Sequence, residues 1–94
     1  MKLRFTRRAA QDIAEIADFI GEQDSAAAQR VRANILDSLE ILTLYPRIGR
    51  RQSIRDVRKF VTPRYGYVIY YLADDTAGEI VALTIRHPAW EPFE

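Results

Sequence analysis

The first half of the chain carries apolar residues at the spacing of amphipathic helices. One stripe recurs every three or four positions at Ile13, Ile16, Ala17 and Ile20. A second stripe recurs in the same way at Ala28, Val31, Ile35, Leu39 and Leu42. These patterns predict helices over residues 7–21 and 25–44. Because only residues 22–24 connect them, we expect the two helices to form an antiparallel hairpin.

Residues at the predicted helix ends agree with these boundaries. Thr6 can cap the first helix, and Asp24 or Ser25 can cap the second. Tyr45-Pro46 ends the second helix, because proline has no backbone N–H and its ring clashes with the preceding turn. We expect the side of the hairpin that faces the sheet to consist of Ile13, Ile16, Ile20, Val31, Ile35, Leu39 and Leu42.

Beyond residue 52 the period of the apolar residues changes to two, which is the period of β-strands. The segments predicted as strands are Lys2–Phe5, Val57–Val61, Tyr65–Leu72 and Glu79–Arg86. Residues 47–52 are predicted as a loop and residues 74–78 as a turn. The order β-α-α-β-β-β predicts an α+β protein with a single domain over residues 1–94. We expect an antiparallel helical hairpin packed on an antiparallel β-sheet.

The composition excludes several classes of protein. The chain has no cysteine and one histidine, so disulfides, thiolate chemistry and a histidine cluster for zinc are excluded. No apolar run approaches the ~20 residues of a membrane span, and the first residues lack a signal-type apolar stretch. We therefore expect a cytoplasmic protein that binds no membrane, no metal and no cofactor.

The near-neutral net charge of +1 conceals an uneven distribution of charge. Residues 10–45 carry a net charge of −5, whereas residues 47–64 carry +6. Such a basic segment is either a solvated surface or a surface for an acidic partner. The candidate partner-binding residues are the arginines of this segment and two aromatic residues of the C-terminal tail: Arg47, Arg50, Arg51, Arg55, Arg58, Arg64, Trp90 and Phe93.

An ordered set of segments resembles the ParE/RelE superfamily of toxins from bacterial type II toxin–antitoxin modules. FTRRAAQDIAEIADFI is similar to the opening strand and first helix of that family, and AAAQRVRANILDSLEILTLYPRIGR to its second helix, its Tyr/Phe-Pro stop and its Gly-Arg. VRKFVTPRYGYVIYYL and IVALTIRH are similar to its strands. The resemblance implies a ParD-like antitoxin as partner, with operator DNA contacted only through that antitoxin.

The superfamily contains two functional classes, so the resemblance alone leaves the target open. RelE-like members cut mRNA on the ribosome, whereas ParE-like members inhibit DNA gyrase. The RelE-like pattern has an arginine where this chain has Tyr67, and an arginine and a tyrosine in the tail that this chain lacks. Both departures favour a ParE-like gyrase inhibitor without catalytic residues. The alternatives are an inactive antitoxin-binding homologue or an mRNA endonuclease that would use Arg58, Lys59, Arg64, Arg86 and His87.

His87 is the residue on which the catalytic alternative depends most. If the last strand is regular, His87 shares a face with Val81, Leu83 and Ile85, which we expect to be the core face. This placement favours a hydrogen-bonded structural histidine over a general acid. Tyr67 and the neighbouring tyrosines are likewise expected to pack on the sheet, because they divide between both of its faces.

Overall fold

The computed structural model describes residues 1–89 in full and the backbone of Trp90, so Phe93 lies outside the described residues. The elements are β1 (Lys2–Phe5), α1 (Arg7–Gly21), α2 (Ser25–Leu44), β2 (Arg50–Arg51), β3 (Val57–Val61), β4 (Val68–Asp74), β5 (Glu79–Arg86) and a 3₁₀ turn (Pro88–Trp90). The α+β class and the order of the predicted elements are confirmed. None of the described helices is long and apolar enough to cross a membrane.

Both helices begin and end where the sequence predicts. The Thr6 hydroxyl accepts a hydrogen bond from the backbone N–H of Ala9 at 3.0 Å, which caps α1. The Asp24 carboxylate accepts one from the N–H of Ala27 at 3.0 Å, which caps α2. The Thr6 hydroxyl also donates to the carbonyl of Leu83 at 2.8 Å. The start of α1 is therefore fixed to the sheet as well as capped.

The sheet differs from the predicted antiparallel one in two ways. The five strands lie in the order β1-β5-β4-β3-β2, and β1 runs parallel to β5. No tight turn joins β1 to its neighbour, since the helices and the β3-β4-β5 meander lie between them, so its direction is not set by a hairpin. The predicted loop at residues 47–52 contains β2, which pairs with β3 through two residues only.

The third predicted strand begins later than the sequence suggests. A turn occupies residues 62–66, where Arg64 and Gly66 have positive φ angles of 78° and 73°. The Thr62 hydroxyl accepts a hydrogen bond from the N–H of Tyr67 at 3.0 Å, which stabilises this turn. The strand β4 therefore starts at Val68.

The core lies between the helical hairpin and one face of the sheet. The hairpin contributes all seven predicted residues, with Ile20 partly buried and the other six buried. The sheet contributes Ile69, Tyr71, Ile80, Ala82 and Ile85, and the residue just before β4, Tyr67, packs with them. Among the described residues no helix packs on the opposite face of the sheet, which is called the open face below, although Val68 and Tyr70 on it are only 4% and 8% exposed.

The predicted core face of β5 is wrong for its first half. Ile80 and Ala82 are fully buried, whereas Val81 and Leu83 are only partly buried. The register explains this, because Tyr71 pairs with Ala82 while Tyr70 pairs with Thr84, so that Leu83 is left over as a β-bulge. The bulge reverses the alternation and returns Ile85 to the core.

Candidate functional site

An apolar groove of about 500 Å³ lies between α1 and the end of β5. It is lined by Glu15, Ile16, Phe19, Ile20, Tyr67, His87 and Ala89. The rings of His87 and Tyr67 meet edge to face, with centroids 5.4 Å apart and an interplanar angle of 89°. The backbone N–H of Ala89 donates to Nδ1 of His87 at 3.0 Å. His87 therefore lies on the helix-facing side of the sheet, packed against an aromatic ring and the start of the tail.

The tyrosines of the core remain neutral at physiological pH. Burial raises the pKa of the Tyr67 phenol above its ordinary value of 10.0. Burial also raises the pKa of Tyr71, although the hydrogen bond from the Gly49 backbone and the charge of Arg58 oppose the increase. In neutral solution both side chains act through packing and hydrogen bonding, not as bases.

These pKa shifts predict how stability depends on alkaline pH. Folding raises the pKa of the Tyr67 phenol, so above pH ~10 the unfolded chain releases the phenol proton while the folded chain still holds it. The phenol therefore contributes its full share of the free energy of unfolding below pH ~10, and this share is lost as the pH rises further. We expect the free energy of unfolding to fall above pH ~10, and Tyr67→Phe to reduce the slope. Urea unfolding at several pH values measures this, with Tyr45→Phe, which alters an exposed ring, as the matched control. Equal slopes in wild type and Tyr67→Phe would contradict it.

A second set of contacts joins the Arg47–Gly49 segment to the sheet. The Tyr71 hydroxyl donates to the carbonyl of Pro46 at 2.8 Å and accepts from the N–H of Gly49 at 2.9 Å. One guanidinium nitrogen of Arg58 donates to the carbonyl of Gly49 at 2.8 Å and to that of Arg47 at 3.2 Å. Arg58 is a candidate for binding a scissile phosphate, but one of its guanidinium nitrogens is thus already bound to backbone carbonyls of the fold.

The open face of the sheet brings several cations together. Arg50 pairs with Lys59 across β2 and β3, and Lys59 pairs with Tyr70 on β4. Arg86 pairs with Val68 on the same side, because the preceding residue, Ile85, belongs to the helix-facing core. Tyr70 also lines a groove of about 330 Å³ with residues 52–54. This face therefore concentrates positive charge, whereas the Tyr70 ring on it is only 8% exposed and is not available for stacking.

The residues of the catalytic alternative do not form one site. Arg58 and His87 are on the helix-facing side, at opposite ends of the sheet. Lys59 and Arg86 are on the open face. Arg64 is exposed in the turn at residues 62–66. Lys59 and Arg86 could not supply positive charge to a reaction at His87, because they lie on the other face of the sheet.

The basic segment predicted from the sequence is not one continuous surface either. Arg50 belongs to the open face and Arg64 to the separate turn. The other four candidates, Arg47, Arg51, Arg55 and Arg58, line one polar pocket at the end of β4. The backbone of Trp90 is in the 3₁₀ turn that follows His87, and Phe93 lies outside the described residues.

Sequence reasoning missed the contact that holds α1 to the β-bulge. One carboxylate oxygen of Asp12 accepts hydrogen bonds from the Thr84 hydroxyl at 2.6 Å and from the N–H of Ile85 at 3.0 Å. The other oxygen accepts from Nε of Arg8 at 3.1 Å. In the sequence Asp12 is one of several acidic residues of an amphipathic helix, and only the register of the sheet reveals its hydrogen-bond partners.

Comparison with known proteins agrees with this architecture. Residues 3–89 match the family model described as the ParE toxin of the type II toxin–antitoxin system parDE. The chain is 33% identical over 90 residues to the protein Y4kP of Sinorhizobium fredii, an alignment that covers 95% of this chain and 92% of that one. It is 34% identical over 85 residues to Toxin RelE2 of Caulobacter vibrioides, in an alignment that covers 90% of this chain and 92% of that one.

A solved structure supports the same assignment at the level of the fold. The chain superposes on a chain of the chromosomal ParDE system from P. aeruginosa with a TM-score of 0.79 and 23% sequence identity. The superposition covers 93% of this chain and 95% of that one. Fold, length and family match therefore agree over nearly the whole sequence. The chain belongs to the ParE toxin family of type II toxin–antitoxin systems, within the ParE/RelE superfamily.

Proposed function

We propose that the protein is a ParE-like toxin that acts in the cytoplasm by inhibiting DNA gyrase and is neutralised by a ParD-like antitoxin. The observation that carries this proposal is the match of residues 3–89 to the ParE toxin model. The superposition on a ParDE chain over 93% of the sequence agrees with it. The distribution of the candidate catalytic residues supplies the chemical argument.

Cleavage of RNA requires a base, an acid and cations around one phosphate. None of the candidate cations Arg58, Lys59, Arg64 and Arg86 lines the groove at His87. Among the described residues, the polar side chains of that groove are Glu15, Tyr67 and His87 itself. Tyr67 is 5% exposed and packs against His87, so it does not replace a phosphate-binding arginine. This arrangement favours an inhibitor that acts by binding.

The antitoxin proposal rests on surfaces that a partner would cover. Within the described part of the chain the sheet has two edge strands, β1 and β2, whose outer backbone groups can pair with another extended chain. Large apolar side chains are also exposed, among them Phe19 at 66%, Leu44 at 72% and Ile54 at 65%. Phe19 lines the apolar groove at His87 and Ile54 lines the groove beside Tyr70, so a partner that filled either groove would cover them. Apolar contacts would supply most of the affinity, and the basic residues would steer an acidic partner.

One observation favours a ribosome-dependent mRNA endonuclease as the second candidate. Arg50, Lys59 and Arg86 share the open face, where their positive charge suits the phosphate backbone of an RNA. The name of the related Toxin RelE2 points to the same class. In this case the reaction would take place on the open face and would not use His87.

Two assays on the purified protein separate these functions. We expect the protein to block supercoiling of relaxed plasmid by gyrase, and we expect no cleavage of mRNA in a translating extract. His87→Ala should leave the gyrase assay unchanged if that residue only packs against Tyr67. Cuts at defined codon positions that disappear in Lys59→Ala, but persist in the control Lys2→Ala, would establish the endonuclease instead. A protein that is inert in both assays would be an antitoxin-binding homologue without toxicity.

A further inference from the structure

A polar pocket of about 490 Å³ lies at the end of the sheet away from His87. Its walls come from Arg47, from β2, from the turn at residues 53–56, and from the adjoining ends of β3 and β4. Four arginines line it: Arg47, Arg51, Arg55 and Arg58. It shares no residue with the apolar groove at His87, so it is a separate site.

Arg58 is the fixed cation of this pocket. Its guanidinium is held by the carbonyls of Gly49 and Arg47 at 2.8 and 3.2 Å, and both bonds use the same nitrogen. A guanidinium has five N–H donors, so this anchoring leaves the other nitrogens to serve a ligand. The side chain is preorganised, which lowers the entropy lost when a ligand binds.

Arg51 adds a second cation at a position where the fold alone would disfavour it. Arg51 and Arg58 are directly opposite in the β2–β3 pair, and like charges at such positions destabilise a sheet. An anion between the two guanidinium groups would convert this repulsion into two attractions. A bound anion would therefore relieve the repulsion between Arg51 and Arg58.

The remaining arginines are held only by weak ion pairs. Arg47 contacts Asp75 at 3.0 Å, with both side chains about two-thirds exposed, and Arg55 lies 3.8 Å from Asp56, with its side chain 95% exposed. Exposed pairs of this kind contribute little to stability, so both arginines can turn toward a ligand. The four arginines and two aspartates of the lining leave a net charge of +2.

We propose that this pocket binds a phosphate group. Guanidinium forks match phosphate oxygens in two-point contacts, and a net charge of +2 suits the one or two negative charges of a phosphate group. None of the described residues that line the pocket is aromatic, so among them a nucleobase would find no stacking partner and the phosphate would be the group recognised. The phosphate belongs either to a small molecule or to the backbone of a nucleic acid. The proposal does not depend on gyrase being the target.

Titration calorimetry with inorganic phosphate and with pyrophosphate tests the site directly. We expect saturable binding at physiological ionic strength, and a loss of affinity on the order of tenfold or more in Arg51→Gln, because the substitution removes charge-assisted hydrogen bonds to the phosphate. Arg55→Gln should act in the same direction. Arg30→Gln, which removes an exposed arginine of α2, is the matched control and should bind like wild type. Arg51 and Arg55 are exposed, so their substitution leaves the fold intact.

Competition identifies the source of the phosphate. A short DNA duplex that displaces pyrophosphate, and does so less well from Arg51→Gln, would indicate a nucleic-acid backbone. Pyrophosphate that binds without competition from the duplex would indicate a small phosphorylated ligand. The proposal is wrong if neither phosphate binds above an equal ionic strength of chloride, or if Arg30→Gln weakens binding as much as Arg51→Gln. It is also wrong if a glutamate-rich peptide binds this pocket while phosphate does not.

Discussion

Replacement of Gly49 by alanine should strongly destabilise the protein. A Cβ atom at this position would lie 2.5 Å from the hydroxyl oxygen and 2.6 Å from Cε1 of Tyr71. Tyr71 is fully buried in the core and cannot move aside without disturbing its neighbours. Overpacking of this kind costs about 1–3 kcal/mol. The hydrogen bond between the Gly49 N–H and the Tyr71 hydroxyl would be strained as well.

Urea unfolding of the purified protein measures this effect, and Gly21 provides a matched control. A Cβ atom at Gly21 would meet only the Cβ of Ala28, at an ordinary distance of 3.7 Å. Because alanine is the better helix former, Gly21→Ala should be neutral or stabilise the protein by about 0.5–1 kcal/mol. If Gly49→Ala were as stable as Gly21→Ala, the close contact with Tyr71 would not be a feature of the folded protein.

The elements that sequence predicts best are those whose determinants are local. The bounds of α1 and α2 follow from features within each segment: a stripe of apolar residues, an N-terminal cap, and the residues that end the helix. The caps are Thr6 and Asp24. The parallel direction of β1 and the bulge at Leu83 depend instead on pairing between distant segments. A period of two cannot reveal a bulge, because the extra residue shows only against the partner strand. The face of β5 was therefore predicted correctly for Ile85 and wrongly for Val81.

The candidate site was harder to predict for a related reason. Arg50 and Arg51 are adjacent in sequence, yet successive residues of a strand point to opposite faces. One of them joins Lys59 on the open face, and the other joins Arg58 in the four-arginine pocket. A count of charges along the sequence merges these two surfaces into one. The resemblance to a family did predict the fold, since it depends on the order of segments and not on their register.

Asp12 is the residue whose replacement tests the link between α1 and the β-bulge. Its side chain is 11% exposed and accepts hydrogen bonds from the Thr84 hydroxyl and the Ile85 N–H. Alanine at this position would leave both donors without their acceptor, at a cost of about 1–3 kcal/mol for each buried group that is not resolvated. The ion pair with Arg8 contributes less, because the Arg8 side chain is 65% exposed.

We therefore expect Asp12→Ala to lower the free energy of unfolding by about 2–3 kcal/mol, which in a domain of this size corresponds to a fall in Tm of roughly 8–24 °C. Asp12→Asn should retain most of the stability, because its amide oxygen can replace the carboxylate oxygen that accepts both bonds from β5. Asp18→Ala, which alters an exposed acid of the same helix, should change stability by no more than about 0.5 kcal/mol. If Asp12→Asn proved as unstable as Asp12→Ala, the negative charge and the pair with Arg8 would be the important features. In that case the hydrogen bonds to the bulge would have only a minor role.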